Sequence, residues 1–470
     1  IVMLVDGLLM EVTRLVNMAD GVMSEFNKES QALPRDVLIS VMKKHQRYFP
    51  VVKSSRSQVP SSKSVRQPDT SNVDAAPSSG SGTLLPHFIA VRNGDDIGID
   101  IVRQGNEHVL GARFADANFF VREDLKQPLE AYRPELSKLI FQTQLGSVLD
   151  KSERMNKLVN DLIPMLGLEN DEAIFARRAV HLAKADLVTQ MVTEMTSLQG
   201  VIGREYALRS GEQKDVANGI GEQYLPVPRS KIGLAVALTD RIDSLVGLFA
   251  AGLAPTGAKD PFGLRRAAIG VVQPLIEHGL SFDLREAVRK AAKLQPIEVK
   301  EEVQTQILDF ITGRLSVVLK DAGYKYDVVD AVLAEQSDNP ARAAQAVKQL
   351  QAWVERDDWE TILPGYARCV RIIRSAQVDD RQLTINKKKF SEQAEQDLYA
   401  AIQSSVVHRP SSVDEFLNIV VKLIPSINAF FDKVLVMAED EKIKQNRLAL
   451  VGQIAALSTG LADLSKLEGF

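Results

Sequence analysis

Apolar residues recur at three- and four-residue steps through most of the chain beyond residue 105. That spacing places apolar side chains on one face of a helix, so it predicts a protein built mainly of amphipathic α-helices. The fold class that follows is mainly α, with a small α/β piece at the N-terminal end. The predicted helices cover residues 152–166, 171–196, 231–252, 262–278, 300–322, 341–356, 363–376, 391–404, 412–432 and 440–459.

Residues 1–104 carry a different pattern of short apolar runs. Pro34 is placed to begin a helix, and strand-like runs follow, one reaching Val52 and another covering Leu84–Val91. Residues 54–83 between them are rich in Ser, Pro and Gly and contain almost no large apolar residue. Such a segment cannot bury enough surface to offset its ordering entropy, so we expect a disordered insertion that joins two strands.

Two breaks in the helical pattern suggest where the remainder divides. Residues 208–230 are rich in turn-forming residues, and residues 323–340 contain Gly323 and end in the turn signal at Asp338–Pro340. We take the second break as a domain boundary. The predicted organisation is an α/β piece (1–104), a helical middle domain (105–323) and a helical C-terminal domain (324–470).

The last helical pattern includes an aromatic block, Phe430–Met437. Ile427, Phe430, Val434 and Ala438 follow one another at three- and four-residue steps, which predicts that one amphipathic helix continues through this block.

The bulk composition excludes several classes of protein. A hydrophobic fraction of 45% and a charged fraction of 25% are ordinary for a globular protein, and no apolar run reaches membrane-spanning length. The net charge of −4 argues against a surface that is basic throughout, although a local basic patch remains compatible with it. A single cysteine, Cys369, forms no internal disulfide, which fits a reducing compartment. The start at Ile1, without a basic region, leads us to expect a piece of a longer protein rather than a signal peptide.

A group of cations lies in the C-terminal third. Arg368, Arg371 and Arg374 follow at three-residue steps and share one face of a helix, and Arg381 and Lys387–Lys389 come soon after. Guanidinium and ammonium groups suit phosphate contacts that fix the register of a nucleic acid. Tyr366 and Phe390 are nearby candidates for stacking on an unpaired base. The alternative is a solvated helix face followed by a charged loop.

A second basic cluster combines Lys43, Lys44 and Arg47 with the aromatic residues Tyr48 and Phe49. Cations next to aromatic rings are typical of RNA contacts, so this cluster is the second candidate site.

Other patterns allow catalytic interpretations. His181, Asp186, Asp240 and Asp243 are candidate ligands for a metal-dependent phosphohydrolase of the HD type, but the adjacent His-Asp pair that such enzymes use is missing. The alternative places Asp240 and Asp243 in ion pairs at a helix surface. Residues 252–260 are a near miss to a phosphate-binding loop, because Asp260 stands where a Ser or Thr is needed; that carboxylate is placed to cap the next helix. No motif supports nucleophilic catalysis.

Seven groups of segments follow one another along the chain and together cover nearly all of it outside the insertion. They are Leu33–Ile39 with His45–Val51, Phe88–Asn93, Gly111–Ala117 with Phe119-Phe120, Lys184–Val192, Gln199–Gly203, Asp260–Ala268 and Phe430–Met437, the last followed by Asn446-Arg447-Leu448. In this order the segments resemble the β subunit of the two-subunit, bacterial-type glycyl-tRNA synthetase.

The resemblance implies a ligase that attaches glycine to tRNA(Gly) with ATP, of which this chain is the tRNA-binding part. It implies an HD-like helical middle domain that has lost its metal ligands and a C-terminal helical bundle that reads the anticodon. The aminoacylation site, with its ATP and magnesium, is expected in the α part, so that no catalytic residue, cofactor or metal belongs to this chain. The expected partners are tRNA(Gly) and the α part, in an α2β2 assembly or a fused-chain dimer, with no membrane.

The tRNA-binding residues expected on this basis are those of the two basic clusters: Lys43, Lys44, Arg47, Arg368, Arg371, Arg374, Arg381, Lys387, Lys388 and Lys389. The low-complexity insertion favours a chloroplast or mitochondrial enzyme, with the bacterial cytoplasm as the alternative. An HD-type phosphohydrolase and a helical interaction scaffold without RNA affinity are the competing hypotheses.

Overall fold

The computed structural model describes residues 8, 12, 19–54, 82–93, 97–376 and 384–470. The contacts between residues divide the chain into two units, Ile1–Asp243 and Ser244–Phe470. The predicted insertion 54–83 lies, apart from its two ends, outside the described residues. The three-part division of the chain stays a prediction.

The first unit contains a small antiparallel sheet of three strands: β1 (Ala19–Glu25), β2 (Phe49–Ser54) and β3 (Gly82–Asn93). β3 is central, in the order β1-β3-β2. β2 and β3 occupy the two stretches that the sequence predicts as strands, and Ser54 pairs with Gly82 where the insertion leaves the sheet.

Helices make up most of the rest, as the periodicity predicts. In the first unit they are α1 (Arg35–Ser40), α2 (Ile99–Asp124), α3 (Val148–Met165), α4 (Asn170–Leu182), α5 (Gln190–Glu194), α6 (Val201–Arg209), α7 (Lys214–Glu222) and α8 (Lys231–Ala250), the last of which continues into the second unit; a short hairpin of β4 (Ile140–Gln142) and β5 (Gly146–Ser147) precedes α3. In the second unit they are α9 (Leu264–Glu277), α10 (Leu284–Ala292), α11 (Glu301–Asp321), α12 (Tyr326–Gln336), α13 (Pro340–Val354), α14 (Trp359–Ala376), α15 (Gln393–Ser405), α16 (Val413–Lys433) and α17 (Glu441–Ala455).

Side-chain caps fix where several of these helices begin. Ser147 and Asp150 form a reciprocal capping box at α3. Asp283, Asn339 and Asp440 accept hydrogen bonds from the first backbone N–H groups of α10, α13 and α17.

Two helices lie where the sequence predicts turns. α7 occupies part of the gap at 208–230, and α12 occupies most of the break at 323–340. α12 buries Val328, Val329, Ala331, Val332 and Leu333, so apolar residues occupy most of its circumference and its sequence shows only a weak helical period. The sequence pattern does not predict α7 as a helix, because its glycines disfavour helix in isolation.

Two stretches predicted as continuous helix are interrupted. The predicted helix 171–196 is broken after α4 by a 3₁₀ turn at Ala185–Val188 before α5 begins. α16 ends at Lys433, which agrees with the predicted helix 412–432, but Val434 has extended backbone angles, so the prediction that one helix continues through the aromatic block to Ala438 is wrong. Beyond Lys433, Val434 and Val436 are buried whereas Leu435 and Met437 are exposed, the alternation of an extended segment.

Each unit has its own apolar core. In the first, α2 packs on β1, and Phe114 meets Phe26 edge to face at 5.1 Å. In the second, α14, α16 and α17 pack together around fully buried Tyr366, Phe416 and Phe430. Within the described residues, no helix combines the length and the apolar character that crossing a bilayer demands.

Candidate nucleic-acid interface

α14 carries the three predicted arginines on the side that faces away from its core residues. Tyr366, Cys369 and Ile373 are buried, whereas Arg371 and Arg374 are exposed and Arg368 is half-buried. The helical spacing therefore places the three cations on one face, as the sequence predicts.

Two of the three arginines have acidic partners from distant parts of the chain. Arg368 lies 3.7 Å from Asp432 and also donates to Asn428. Arg374 lies 3.1 Å from Asp463. Arg371 instead places its guanidinium over the ring of Phe470, at 5.4 Å. Because these pairs are partly exposed, water screens them and they contribute little to stability, yet they partly neutralise the basic face of α14.

Lys387, Lys388 and Lys389 form a single exposed 3₁₀ turn, here called the lysine turn. The side chain of Asn386 caps it by accepting from the backbone of Lys388 at 3.0 Å. Lys387 lies over the ring of Tyr399, and none of the three ammonium groups forms an ion pair with the residues that the structure describes. The lysine turn is therefore the least compensated group of predicted cations in the second unit. Arg381, also predicted to bind tRNA, lies outside the described residues.

A buried arginine that the sequence did not single out as functional holds the lysine turn in place. Arg447, on α17, forms an ion pair with the fully buried Glu395 at 2.8 Å. Its other nitrogens donate to the backbone oxygen of Leu435 and to the hydroxyl of Ser391. Asn446 accepts a hydrogen bond from the backbone N–H of Asn386 at 2.6 Å. The Asn446-Arg447 pair therefore ties both neighbouring loops to α17, and its place in the resembling segments was the signal that could have revealed it.

The two aromatic residues proposed for base stacking differ in their exposure to solvent. Tyr366 is buried, and its hydroxyl donates to the backbone oxygen of Ala455, so it is a core residue and the stacking prediction for it is wrong. Phe390 is half-buried with its ring 5.7 Å from that of Tyr399. The ring of Tyr399 in turn faces Lys387.

In the N-terminal cluster the cations are accessible but the aromatic residues are not. Lys44 and Arg47 are exposed, and burial together with the charge of Lys44 lowers the pKa of the half-buried Lys43. Tyr48 and Phe49 are buried, and Tyr48 stacks on Phe88 at 4.7 Å. The two rings belong to the sheet core, so the prediction that they contact RNA is wrong for both.

The proposed metal ligands do not converge on one point. His181 contacts Glu130 through Nε2 at 2.9 Å. Asp186 instead accepts hydrogen bonds from the backbone N–H groups of Gly200 and Gly203, at 2.5 and 3.2 Å, and caps the start of α6. No group of three or more His, Cys, Asp or Glu side chains within the described residues is arranged to hold a metal ion.

Asp240 and Asp243 belong to a buried network of charges rather than to the helix surface that the sequence predicts. Lys151 bridges the two carboxylates at 3.0 and 3.1 Å, and Lys184 lies 2.8 Å from Asp240. Arg154 completes the network by donating to Asp243. Burial raises the pKa of Asp240, but the two ammonium groups lower it more, and the net pKa lies well below the ordinary value. The positive charges that balance these carboxylates are supplied by the protein itself.

Asp260 and Cys369, for which the sequence predicts no catalytic role, have well-defined surroundings in the structure. The carboxylate of Asp260 accepts hydrogen bonds from the backbone N–H groups of Leu264 and Arg265, at 2.8 and 2.9 Å. The segment that partly matches a phosphate-binding loop therefore ends in a carboxylate that caps α9. The predicted cap is confirmed, although α9 begins at Leu264, two residues later than the predicted start at residue 262. Burial raises the pKa of the Cys369 thiol to about 12, which keeps it a poor nucleophile at neutral pH.

Comparison with known proteins gives one consistent result. The family model of the glycyl-tRNA synthetase beta subunit matches residues 2–334, and that of the DALR anticodon binding domain matches residues 362–464. The chain is 38% identical to the glycine–tRNA ligase beta subunit of Clostridioides difficile, with 98% of the chain and 64% of the relative covered. The corresponding subunit of Moorella thermoacetica is 36% identical, with 98% of the chain and 65% of that protein covered.

A plant relative is similar over the same region. The chloroplastic/mitochondrial glycine–tRNA ligase 2 of Arabidopsis thaliana is 35% identical, with 99% of the chain and 42% of the relative covered. The chain thus spans less than two thirds of the length of each of these curated relatives.

Proposed function

The chain belongs to the glycyl-tRNA synthetase beta subunit family, and on that basis we propose that it is the tRNA-binding and anticodon-recognising part of an enzyme that attaches glycine to tRNA(Gly) with ATP. The observation that carries the proposal is the overlap of the anticodon-binding domain match, residues 362–464, with the bundle that presents the exposed lysine turn.

Phosphate contacts are the first role that we propose for this bundle. Among the predicted cations of this bundle, the lysine turn and Arg371 have no acidic partner within the described residues, so they are the most available to an RNA backbone. Such contacts fix the register of the RNA without reading its sequence. Lys43, Lys44 and Arg47 supply a further candidate contact in the first unit, and Arg368, Arg374 and Arg381 complete the proposed set.

Positioning is the contribution to catalysis that we propose for this chain. Holding the acceptor end of a tRNA in the right place converts an encounter into an effectively unimolecular reaction, which supplies a large part of a rate enhancement. We place the aminoacylation site, with ATP and magnesium, in the α part of the enzyme, whether that part is a separate chain or fused. An α2β2 assembly or a fused-chain dimer is the quaternary structure proposed.

The proposed location is a chloroplast or mitochondrion, with the bacterial cytoplasm as the alternative. The name of the Arabidopsis relative supports the first, and the bacterial relatives support the second.

Filter binding with labelled tRNA tests the proposal. The complete enzyme is expected to bind tRNA(Gly) about tenfold or more tightly than a non-cognate tRNA at equal salt, because sequence-specific contacts add to the phosphate term. Equal affinity for both, or no retention of either, would contradict anticodon recognition. Fixed salt matters, since each phosphate contact makes the affinity strongly salt-dependent.

A further inference from the structure

A cavity of about 220 Å³ opens in the second unit beside the C-terminal half of α14. Val370 and Ile373 of α14 and the ring of Phe470 supply apolar walls. Arg374, Asp463 and Glu335 supply charged groups, and Glu335 accepts a hydrogen bond from the backbone N–H of Gly460 at 2.7 Å. Pockets for drug-sized ligands measure about 300–1,000 Å³, so this cavity suits a smaller object such as a single aromatic ring.

Arg374 and Asp463 offer different hydrogen-bonding groups side by side. Nη2 of Arg374 donates to Oδ1 of Asp463 at 3.1 Å. The same Oδ1 accepts from the backbone and the hydroxyl of Ser465, at 3.1 and 2.6 Å. Oδ2 of Asp463 and the other guanidinium nitrogens of Arg374 form no hydrogen bond with the described residues. The pair therefore presents one open acceptor and several open donors at the cavity.

The carboxylate of Asp463 keeps its charge at neutral pH. Burial raises its pKa, but the hydrogen bonds from Ser465 and the charge of Arg374 lower it more, so the net pKa lies below the ordinary value. Phe470 lines the same cavity while its ring faces Arg371. Unpaired bases bind proteins by stacking on such rings and by hydrogen bonding along their Watson–Crick edges.

We propose that this cavity receives one unpaired cytosine of the tRNA anticodon, with Oδ2 of Asp463 accepting from the exocyclic amino group and Arg374 donating to the N3 and O2 side. Carboxylates are suited to cytosine because its N4 amino group is a donor. Uracil has an acceptor oxygen at that position, which would face the carboxylate without a proton between them.

The choice of cytosine rests on the proposed function. Every glycine codon begins with two guanines, so the second and third anticodon bases of tRNA(Gly) are both cytosine. A guanine could also bind to the acceptor of Asp463 and the donors of Arg374. The experiment distinguishes the two bases, because it changes each anticodon position separately and cytosine occupies the second and third.

The experiment measures the affinity of the complete enzyme for tRNA(Gly) transcripts that carry one base change at each anticodon position. We expect a cytosine-to-uracil change at one of the two cytosine positions to weaken binding about tenfold. Asp463→Asn is expected to reduce that ratio to below about threefold, because an amide can turn its N–H group towards the uracil oxygen. Asp432→Asn is the matched control: it removes the acid paired with Arg368, outside the cavity, and should keep the tenfold ratio.

Arg374→Lys is the second variant, needed in case Asp463→Asn disturbs the turn that Ser465 completes. It keeps the charge but loses the guanidinium fork, so it should also reduce the ratio. Thermal unfolding shows whether each variant folds like the wild type. If a correctly folded variant kept the wild-type ratio of affinities for the cytosine and uracil transcripts, the assignment of the cavity would be overturned. An effect confined to the first anticodon base would overturn it too. A wild-type enzyme that fails to prefer tRNA(Gly) at all would instead refute the proposed function.

Discussion

Arg447 shows how one buried ion pair organises the surface above it. Its guanidinium meets Glu395, which has no exposed surface, and also binds the two loops that carry Ser391 and Leu435. Removing one partner of a buried pair leaves the other charge without compensation, which is far more costly than losing an exposed pair.

We therefore predict that Arg447→Met lowers the free energy of unfolding by about 3–5 kcal/mol. Urea unfolding measures this change. Arg356→Met is the control, because Arg356 and Asp358 form an exposed pair whose loss should change stability far less than the loss of the buried pair. Equal effects of the two substitutions would contradict the role given to Arg447.

Burial of Asp186 makes the stability of the fold decrease as the pH rises. Burial raises its pKa to about 6, whereas an unfolded aspartate titrates near 3.9. Below about pH 3.9 the carboxyl is protonated in both states. Between about pH 3.9 and 6 the unfolded chain loses this proton while the folded protein keeps it, so stability falls as the pH rises; above about 6 both states are ionised and the loss stays constant.

The prediction concerns the difference between the wild type and Asp186→Asn. Over about pH 4 to 6 the wild type should lose roughly 3 kcal/mol relative to the variant, from about two pKa units at 1.36 kcal/mol each. Urea unfolding at several pH values measures the difference, and other carboxyls cancel because both proteins share them. A constant difference across that range would show that Asp186 titrates normally.

At the scale of elements, the glycines of α7 explain why the sequence predicts a turn there. Gly219 is buried, and a Cβ on it would lie 2.5 Å from Cγ2 of Ile232. The close approach of two elements therefore requires glycine at a helical position where its propensity is unfavourable. Packing overrides propensity here, which local sequence does not reveal.

We predict opposite effects for two glycine-to-alanine substitutions in helices. Gly219→Ala should destabilise by about 1–3 kcal/mol, because it overpacks the contact with Ile232. Gly313→Ala in α11 should stabilise by about 0.4–1 kcal/mol, because nothing lies within 4 Å of its added methyl group. Thermal unfolding of the two variants measures both, and stabilisation by the first would refute the close packing.

The end of α16 shows a second limit of local patterns. The apolar period continues past Lys433, but the backbone leaves the helix there and Arg447 binds the backbone oxygen of Leu435. A partner twelve residues away in sequence accompanies the change of conformation, and the periodicity of the segment does not contain it.

Across the full chain, the location of the positive charges matters more for RNA binding than the net charge does. The chain is mildly acidic at −4, yet the lysine turn is exposed and without an acidic partner among the described residues. Affinity for a polyanion follows the local concentration of positive charge more than the total.

The salt dependence of tRNA affinity measures the contribution of these local positive charges. Removing the charges of Lys388 and Lys389 should weaken binding of all tRNAs alike and flatten the dependence of log affinity on log salt by about 0.7–0.9 for each phosphate that the variant no longer binds. Arg371→Gln and Arg374→Gln should also weaken tRNA binding and flatten that dependence. The change in salt dependence should be smaller for Arg374, because Asp463 already compensates it and its guanidinium is assigned to a base rather than to a phosphate.

Lys348→Gln is the matched control for these variants, since Lys348 is exposed on α13, outside the proposed contact surface. It should leave both the affinity and the salt dependence unchanged. If the control changed the salt dependence as much as the lysine-turn variants, the proposed contact surface would be misplaced.

Local patterns in the sequence were enough to establish that the chain is mainly helical, that two strands flank the insertion, and that Arg368, Arg371 and Arg374 share one helix face. Helical and strand periods are local properties, so they can be read from neighbouring residues. The resemblance in ordered segments likewise pointed to the family to which the chain belongs.

Long-range packing, by contrast, determines which of those arginines are compensated and where the lysine turn is held. Asp432 and Asp463 lie 64 and 89 residues from their partners, and Arg447 lies 52 residues from Glu395. Such pairs form when helices distant in sequence pack side by side, and no local pattern encodes which residues then meet. The burial of Tyr48, Phe49 and Tyr366 has the same origin, because an aromatic ring suits a core as well as an RNA surface.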